Sequence, residues 1–228
     1  MAVFDNAEYK QRRFFLEDDQ TELAPRTYNL IIGGVLLWGI AVNALMATYL
    51  QSQILRLNYV LVLVIYFVLS LASMALVYRS DKPEISFLGF TGLAVAMGLL
   101  LTYYVSAFDE GSIRNAFLVT GAVTACMMAV SGVWPEFFRG LGRTLGIALL
   151  IAIAADLICL FLLRVNLSLI DAGVAVIFAG YIGFDWSRAQ SYPKTLDNAV
   201  DCAADIYVDI VNLFVRILSI MGNSKKSD

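Results

Sequence analysis

Aspartate residues recur at helical spacing near the C-terminal end of the sequence. Asp201, Asp205 and Asp209 follow one another at intervals of four residues, and Asp197 precedes them by the same interval. At a rise of 1.5 Å per residue, each interval climbs about 6 Å along one face of a helix. Asp197 is predicted in the preceding loop. For both Asp197 and Asp201, we expect a solvated environment at the start of the helix, where acidic residues are favourable.

Asp209 requires a different explanation, because the apolar stretch Ile-Val-Asn-Leu-Phe-Val follows it and no basic residue adjoins it. A carboxylate in an apolar helix needs a proton, a cation or a partner. Asp185, in Gly-Tyr-Ile-Gly-Phe-Asp-Trp-Ser-Arg, is the natural partner. Two carboxylates in one low-dielectric site cannot both ionise cheaply, so the pair would share a proton. The sequence thus predicts a pH switch without histidine.

The same oxygen atoms suit a hard cation such as calcium, so Asp185 and Asp209 are predicted as calcium ligands as well as pH sensors. Arg79 ends a hydrophobic segment and could neutralise the pair, acting as a latch. The alternative is that Arg79 extends to the lipid headgroups and only sets the topology. Possible secondary site residues are Asp205, Asp156 and Asn212. Asp171, by contrast, could simply reach the membrane interface.

The composition identifies the environment of these residues. Of the 228 residues, 60% are hydrophobic and 15% are charged, whereas soluble domains are usually about 25% charged. The net charge of -3 gives no basic field for nucleic acid. Histidine is absent, so neither the usual zinc ligand nor the usual general base is available. We therefore expect a membrane protein that is not an enzyme, with no catalytic residues and no resident cofactor.

Hydrophobic segments of transmembrane length follow one another along the chain. About 20 apolar residues cross the hydrocarbon core as a helix, and only helices can do so without an open sheet edge. We predict an all-α integral membrane protein with seven transmembrane helices. Their predicted bounds are 28–50, 58–78, 85–105, 113–134, 141–163, 167–186 and 199–221.

The distribution of lysine and arginine predicts the orientation. Four lie in the N-terminal segment and two in each of the second, fourth and sixth connections, ten in all, against five on the other side. The positive-inside rule places the N-terminus in the cytoplasm. Residues 1–27 form the predicted cytoplasmic segment, without the apolar core of a signal peptide, 28–222 the transmembrane domain and 223–228 a polar tail. The tail lysines leave a re-entrant last segment open, and a bacterial cell membrane is favoured over an internal eukaryotic membrane.

Three motifs resemble the Bax inhibitor-1 family, also called transmembrane Bax-inhibitor-motif proteins. Residues 204–214, Ala-Asp-Ile-Tyr-Val-Asp-Ile-Val-Asn-Leu-Phe, are similar to the last-helix pattern of that family. Residues 178–185 are similar to the end of its sixth helix, and residues 111–120 to the start of its fourth. The resemblance implies seven helices around a central C-terminal helix. It also implies a pH-responsive calcium leak through an aspartate pair, with Arg79 at the place of an arginine that binds the pair.

Some positions depart from the family pattern. Trp186 follows Asp185, the predicted loop 134–138 replaces a lysine-rich turn, and the late basic residue falls at Arg216. The function predicted is a pH-regulated passive calcium leak, whose partners are the lipid bilayer, calcium and protons. The first alternative is a binding partner of a membrane quality-control protease, acting through Met1–Arg26 and its Glu17-Asp18-Asp19 cluster. The second is a proton-coupled transporter.

Overall fold

A computed structural model describes residues 21–158 and 168–222 of the chain. Within these two ranges the chain forms nine helices and no β-strand. The acidic cluster at 17–19, the end of the predicted fifth span at 159–163 and the tail at 223–228 lie outside the described residues. The helices are α1 (Pro25–Tyr49), α2 (Gln51–Ile54), α3 (Tyr59–Arg79), α4 (Pro83–Ser106), α5 (Glu110–Val133), α6 (Pro135–Gly140), α7 (Gly142–Ile158), α8 (Ser168–Ala189) and α9 (Leu196–Met221).

Five of these helices are long and apolar enough to cross a membrane, namely α1, α3, α4, α5 and α8. The clearest is α3, with a mean hydropathy of 2.8 in its best window and large side chains such as Phe67 and Leu71 more than half exposed. Apolar side chains are stable in such exposed positions when the surrounding solvent is lipid. The prediction of an all-helical membrane protein is therefore confirmed.

The last helix, α9, has the opposite character. It carries Asp197, Asp201, Asp205, Asp209 and Arg216, yet its side chains are largely buried along its whole length. Ionisable groups within a membrane protein normally face protein or water and not lipid. The burial of α9 agrees with this rule and keeps its carboxylates away from the lipid-facing surfaces. Its most deeply buried apolar residues are Ala199, Val200, Cys202, Ala203, Ala204, Ile206, Tyr207, Leu213 and Leu218.

Two details differ from the predicted layout. The connection 134–138 is predicted as a loop, but α6 begins at Pro135, whose fixed φ is compatible with the first position of a helix. Asp197 is also predicted in a loop, but it lies in the first turn of α9. The helix starts earlier because the Thr195 hydroxyl accepts a hydrogen bond from the Asn198 amide at 3.2 Å, as a capping residue does.

The chain divides into two compact units. The first unit extends to Tyr103 and also includes Ala189–Asp205. The second unit comprises Tyr104–Arg188 and the part of the chain that begins at Ile206. The boundary falls within α9, so the first turns of this helix belong to one unit and its remainder to the other. Each unit therefore contains part of the aspartate row.

Within the first unit, Lys194 closes the connection before α9. Its ammonium group donates hydrogen bonds to the carbonyl groups of Ala189, Gln190 and Tyr192 at 3.3, 2.6 and 3.1 Å. It also lies 4.9 Å from the centre of the Tyr28 ring. Burial lowers the pKa of Lys194. A lysine that the sequence predicts only as a topology signal thus satisfies the last carbonyl group of α8 and two carbonyl groups of the connection that follows.

Close helix packing in the first unit depends on two glycines of α4. A Cβ atom at Gly89 would lie 2.9 Å from the backbone carbonyl oxygen of Ser73, and one at Gly92 would lie 2.5 Å from the Ser73 hydroxyl oxygen. Small residues allow this approach of two backbones, which is a common source of stability between helices in lipid. Ser73 itself is buried on α3.

The start of α5 supplies a test of stability against pH. The Asp109 carboxylate accepts hydrogen bonds from the Ser112 hydroxyl and amide at 2.7 and 2.9 Å. The Ser112 hydroxyl first, and then its amide, hold the pKa of Asp109 below its ordinary value of 3.8. Because the folded state prefers the ionised carboxylate, its contribution is complete above the ordinary pKa and is lost as the pH falls through the lowered value.

We expect Asp109→Ala to lower the thermal unfolding temperature in detergent at neutral pH. The difference from wild type should shrink in strong acid, where the carboxylate of the wild type is protonated. Glu110→Ala, at the next position, is the matched control, because Glu110 is not the capping residue. If Asp109→Ala lowered the unfolding temperature by the same amount at neutral and at strongly acidic pH, this explanation would be contradicted.

Candidate functional site

The two aspartates of the predicted centre belong to the second unit and act on the same hydroxyl group. Asp185 lies one turn before the end of α8, and Asp209 lies in the middle of α9. The charges of both carboxylates reach the hydroxyl of Tyr181, one turn before Asp185 on α8. Asp209 is only 6% exposed. Acidic groups from two different helices are thus close enough to Tyr181 for their charges to act on the same hydroxyl group.

Asp185 also has a basic partner on its own helix. Arg188 donates a hydrogen bond to the Asp185 carboxylate at 3.1 Å, with the Asp185 side chain 11% exposed. The Arg188 guanidinium also lies 5.1 Å from the centre of the Phe184 ring, a favourable cation–π arrangement. Arg79 is the only basic partner that is predicted for the pair from the sequence. The three-residue spacing from Asp185 to Arg188 predicts this contact, because residues three positions apart are neighbours on the surface of a helix.

The remainder of the aspartate row lies in the first unit, where side chains of other helices donate hydrogen bonds to two of its carboxylates. The Ser86 hydroxyl donates to Asp197 at 2.8 Å, and the Tyr78 hydroxyl donates to Asp205 at 2.6 Å. Asp201, between them, is 3% exposed. The prediction that Asp201 lies in a solvated helix start is therefore wrong. It is buried because α9 is enclosed even at its first turns.

Arg79, the predicted latch, is the last residue of α3 and follows Tyr78 directly. The Tyr78–Asp205 hydrogen bond therefore places the end of α3 beside the part of the aspartate row that belongs to the first unit. The role of Arg79 as a latch stays a prediction.

The Tyr78–Asp205 bond can be tested separately. Tyr78→Phe removes one hydroxyl group and leaves a part-buried carboxylate without this donor, which we expect to destabilise the protein by roughly 1–3 kcal/mol. The measurement is thermal unfolding in detergent. Tyr66→Phe on the same helix, where the ring contacts Phe67, is the matched control. Equal unfolding temperatures for the two variants would show that the bond contributes nothing to stability.

Glycines on α8 and α7 position the helix end that carries Asp185. A Cβ atom at Gly183 would overlap the ring of Phe138, which is buried. One at Gly142 would lie 2.6 Å from the Phe184 ring. Side chains from neighbouring elements fill these two places, so α8 cannot shift without displacing aromatic rings. This packing fixes Asp185 within the second unit.

A second charged cluster lies in the same unit. Arg216 of α9 donates to Asp171 and to Asp156, each at 2.6 Å, and the Ser219 hydroxyl donates to Asp171 at 2.7 Å. The prediction of Asp156 as a secondary residue does not include this partner. The expectation that Asp171 simply reaches the interface is incomplete, because Arg216 and Ser219 hold its carboxylate. Another secondary residue, Asn212, donates to the Val208 carbonyl of its own helix at 2.8 Å.

The geometry limits how a cation could be held. In the described ranges, 21–158 and 168–222, no three side chains of histidine, cysteine, aspartate or glutamate come together as a metal site. Calcium takes six to eight oxygen ligands in stable sites. Two carboxylates supply at most four of these oxygen atoms.

Comparison with known proteins gives relatives over almost the whole chain. The family model described as "Inhibitor of apoptosis-promoting Bax1" matches residues 20–226. An uncharacterized protein of Helicobacter pylori is 26% identical over 97% of both chains. An uncharacterized membrane protein of Vibrio cholerae is 33% identical over 61% of this chain and 63% of its own. A Golgi anti-apoptotic protein of vaccinia virus is 26% identical over 67% of this chain and 64% of its own.

These matches agree with the resemblance of the three motifs, which lie near the end of α8, in the middle of α9 and at the start of α5. The family model covers both units and every residue of the two charged clusters. The membrane character of the chain is shared with relatives from Vibrio cholerae and Streptococcus pyogenes, both described as membrane proteins. The chain therefore belongs to the Bax inhibitor-1 family.

Proposed function

We propose that this protein is a passive, pH-regulated calcium leak in a cell membrane. The observation that carries the proposal is that Asp185 and Asp209, on two different helices of one unit, are carboxylates almost removed from solvent, with Asp209 6% exposed and the Asp185 side chain 11% exposed. A calcium ion on its way through the protein would bind the oxygen atoms of both carboxylates. The activity proposed is transport and not catalysis.

The pH response follows from two carboxylates in a site of low dielectric constant. When the pair holds one proton, its charge is reduced and its affinity for a divalent cation falls. When the proton leaves, two negative charges favour either a cation or a basic side chain. Arg188, in contact with Asp185, is one such side chain, and Arg79 at the end of α3 is proposed as the latch that pairs in one state and releases in the other.

The proposed arrangement in the membrane has seven transmembrane helices with the N-terminus in the cytoplasm. To the five helices that satisfy length and hydropathy we add α7 and α9. The described part of α7 is 17 residues long and uniformly apolar apart from its ends and Asp156. In α9, Asp201 and Asp209 are buried and Asp197 and Asp205 are partly buried, which allows a polar helix to cross when protein surrounds it.

The experiment is calcium flux into proteoliposomes that contain the purified protein, measured with an internal calcium dye across about pH 5 to about pH 8. Flux above that of protein-free liposomes, with a clear dependence on pH, would support the proposal. Flux equal to that of protein-free liposomes at every pH would overturn it. The regulator of a membrane protease would then be the preferred function, with the aspartates as a buried structural pair.

A further inference from the structure

The last turn of α8 carries an arginine that lies over two side chains of the preceding turn. Arg188 is the basic residue of this last turn, and long side chains in a helix point back toward its N-terminus. They therefore meet the residues three and four positions earlier, here Asp185 and Phe184. The guanidinium donates a hydrogen bond to Oδ1 of Asp185 at 3.1 Å and lies 5.1 Å from the centre of the Phe184 ring. A charge and an aromatic face thus hold it together.

Packing against α7 fixes the Phe184 ring beside the guanidinium. The ring fills the place that a side chain at Gly142 would need, because a Cβ atom there would lie 2.6 Å from the ring. The Ser187 hydroxyl also donates to the Phe184 carbonyl at 2.8 Å, within the same turn. The position of Arg188 therefore depends on how α7 packs against α8, and not on the attraction of Asp185 alone.

The two charges of this pair differ in their access to solvent. The Asp185 side chain is 11% exposed, whereas the Arg188 side chain is 34% exposed. Because water reaches little of the carboxylate, a positive neighbour stabilises its ionised form. The guanidinium stands on a long stem and can turn toward solvent at a lower cost. A calcium ion that approaches Asp185 and Asp209 would meet Arg188 as a competitor, since like charges repel over a few Å.

We propose that Arg188, supported by the Phe184 ring, competes with calcium for Asp185 and keeps calcium binding at the aspartate pair weak. The proposal rests on the proposed function, because it takes calcium as the ion that binds Asp185 and Asp209. It adds to that site a competing charge, Arg188, and a positioning residue, Phe184, which acts through the guanidinium. Weak binding suits a passive leak, since an ion must be able to leave its site as well as enter it.

The test is equilibrium binding of radioactive calcium to purified protein in detergent at neutral pH, for wild type, Arg188→Gln, Asp185→Asn and the double variant. Without the guanidinium, calcium should bind roughly fivefold more tightly, as expected when a partly exposed ion pair no longer competes. In the Asp185→Asn background the same change should leave the affinity unaltered, because Arg188 acts through Asp185. Arg114→Gln, at an exposed position near the start of α5, is the control for the loss of one positive charge and should bind like wild type.

Phe184→Leu tests the support of the guanidinium by the ring. Both charges remain, but the aromatic face is lost, so calcium should bind about twofold more tightly, the size expected from the loss of a partly exposed cation–π contact. This gain should disappear when Arg188→Gln is also present. Phe137→Leu, an exposed phenylalanine of α6 in the same unit, is the matched control and should bind like wild type.

Three results for Arg188→Gln would overturn the proposal. Calcium binding equal to that of wild type would show that the guanidinium does not compete, and weaker binding would show that it orients Asp185 for the ion instead. The third is a gain that persists in the Asp185→Asn background. If Arg188→Gln does not fold, Arg188→Lys replaces it, since a compact ammonium group cannot place a plane on the ring. Tighter binding is again expected, and equal binding would again overturn the proposal.

Flux measurements separate this proposal from the proposed function. If the wild type conducts calcium, Arg188→Gln should reach half-maximal flux at a several-fold lower calcium concentration. If no form of the protein conducts, the proposed function fails, while tighter binding by Arg188→Gln that depends on Asp185 would still establish the competition. A conducting wild type whose half-maximal calcium concentration is unchanged in Arg188→Gln would overturn the proposal and leave the proposed function intact. No calcium binding by any form would also overturn it.

Discussion

Replacement of both Asp185 and Asp209 with asparagine should remove calcium flux and its dependence on pH. In the wild type we expect flux to change by about tenfold or more across the measured range, because the ionised fraction of a carboxyl group changes about tenfold per pH unit below its pKa. Asparagine has nearly the same shape but cannot carry the charge or the shared proton. Flux of the double variant should therefore fall toward that of protein-free liposomes and be flat with pH.

The single variant Asp209→Asn is the sharper test of the sensor. It removes the more buried carboxylate, whereas Asp185 keeps its hydrogen bond to Arg188. We expect the protein to fold and the pH dependence of any residual flux to disappear. Asp197→Asn, with the same chemical change on the same helix, is the control and should keep the wild-type profile. An unchanged profile in Asp209→Asn would exclude this aspartate as the sensor.

Gly89→Ala should markedly destabilise the protein, although it adds a single methyl group. The new Cβ atom would lie 2.9 Å from the backbone carbonyl oxygen of Ser73, which cannot turn aside as the end of a side chain can. The two helices would have to separate, and such overpacking typically costs about 1–3 kcal/mol. Thermal unfolding in detergent measures the effect, with the yield of monodisperse protein as a second readout.

Gly34→Ala is the matched control for this substitution. Gly34 is also inside a helix of the first unit, but a Cβ atom added there would meet no neighbouring atom within 4 Å. Alanine is favoured over glycine inside a helix by roughly 0.5–1 kcal/mol. We therefore expect Gly34→Ala to unfold at or slightly above the wild-type temperature. A Gly89→Ala protein as stable as Gly34→Ala would show that the close packing of α3 and α4 is not required.

Much of the fold was predictable because local properties determine it. Apolar segments of about 20 residues predict helices that cross a membrane, and α1, α3, α4, α5 and α8 lie within a few residues of their predicted bounds. The start of α9 was misjudged, because the cap at Thr195 was not considered. The short helix α6 replaces a predicted loop, because Pro135 favours the first position of a helix.

The candidate site was predictable in its residues but not in its contacts. The four-residue spacing of acids in α9 indicates a common face, and the apolar surroundings of position 209 predict burial, which the 6% exposure confirms. Spacing along one helix cannot show which residues of other helices meet that face. The Tyr78–Asp205 bond joins positions 127 residues apart, and Arg216 reaches partners 45 and 60 residues away.

Sequence by itself determined the environment of this chain, its helical elements, the positions of its membrane-embedded acids and its resemblance to one family. These follow from composition, periodicity and short motifs, all of which act over a few helical turns. Tertiary structure decided which acids are held by partners on other helices: Asp205 by Tyr78, and Asp156 with Asp171 by Arg216. The physical reason is that a buried charge is stabilised by whatever group lies within hydrogen-bond distance, and only the packing of helices distant in sequence brings most of these groups together.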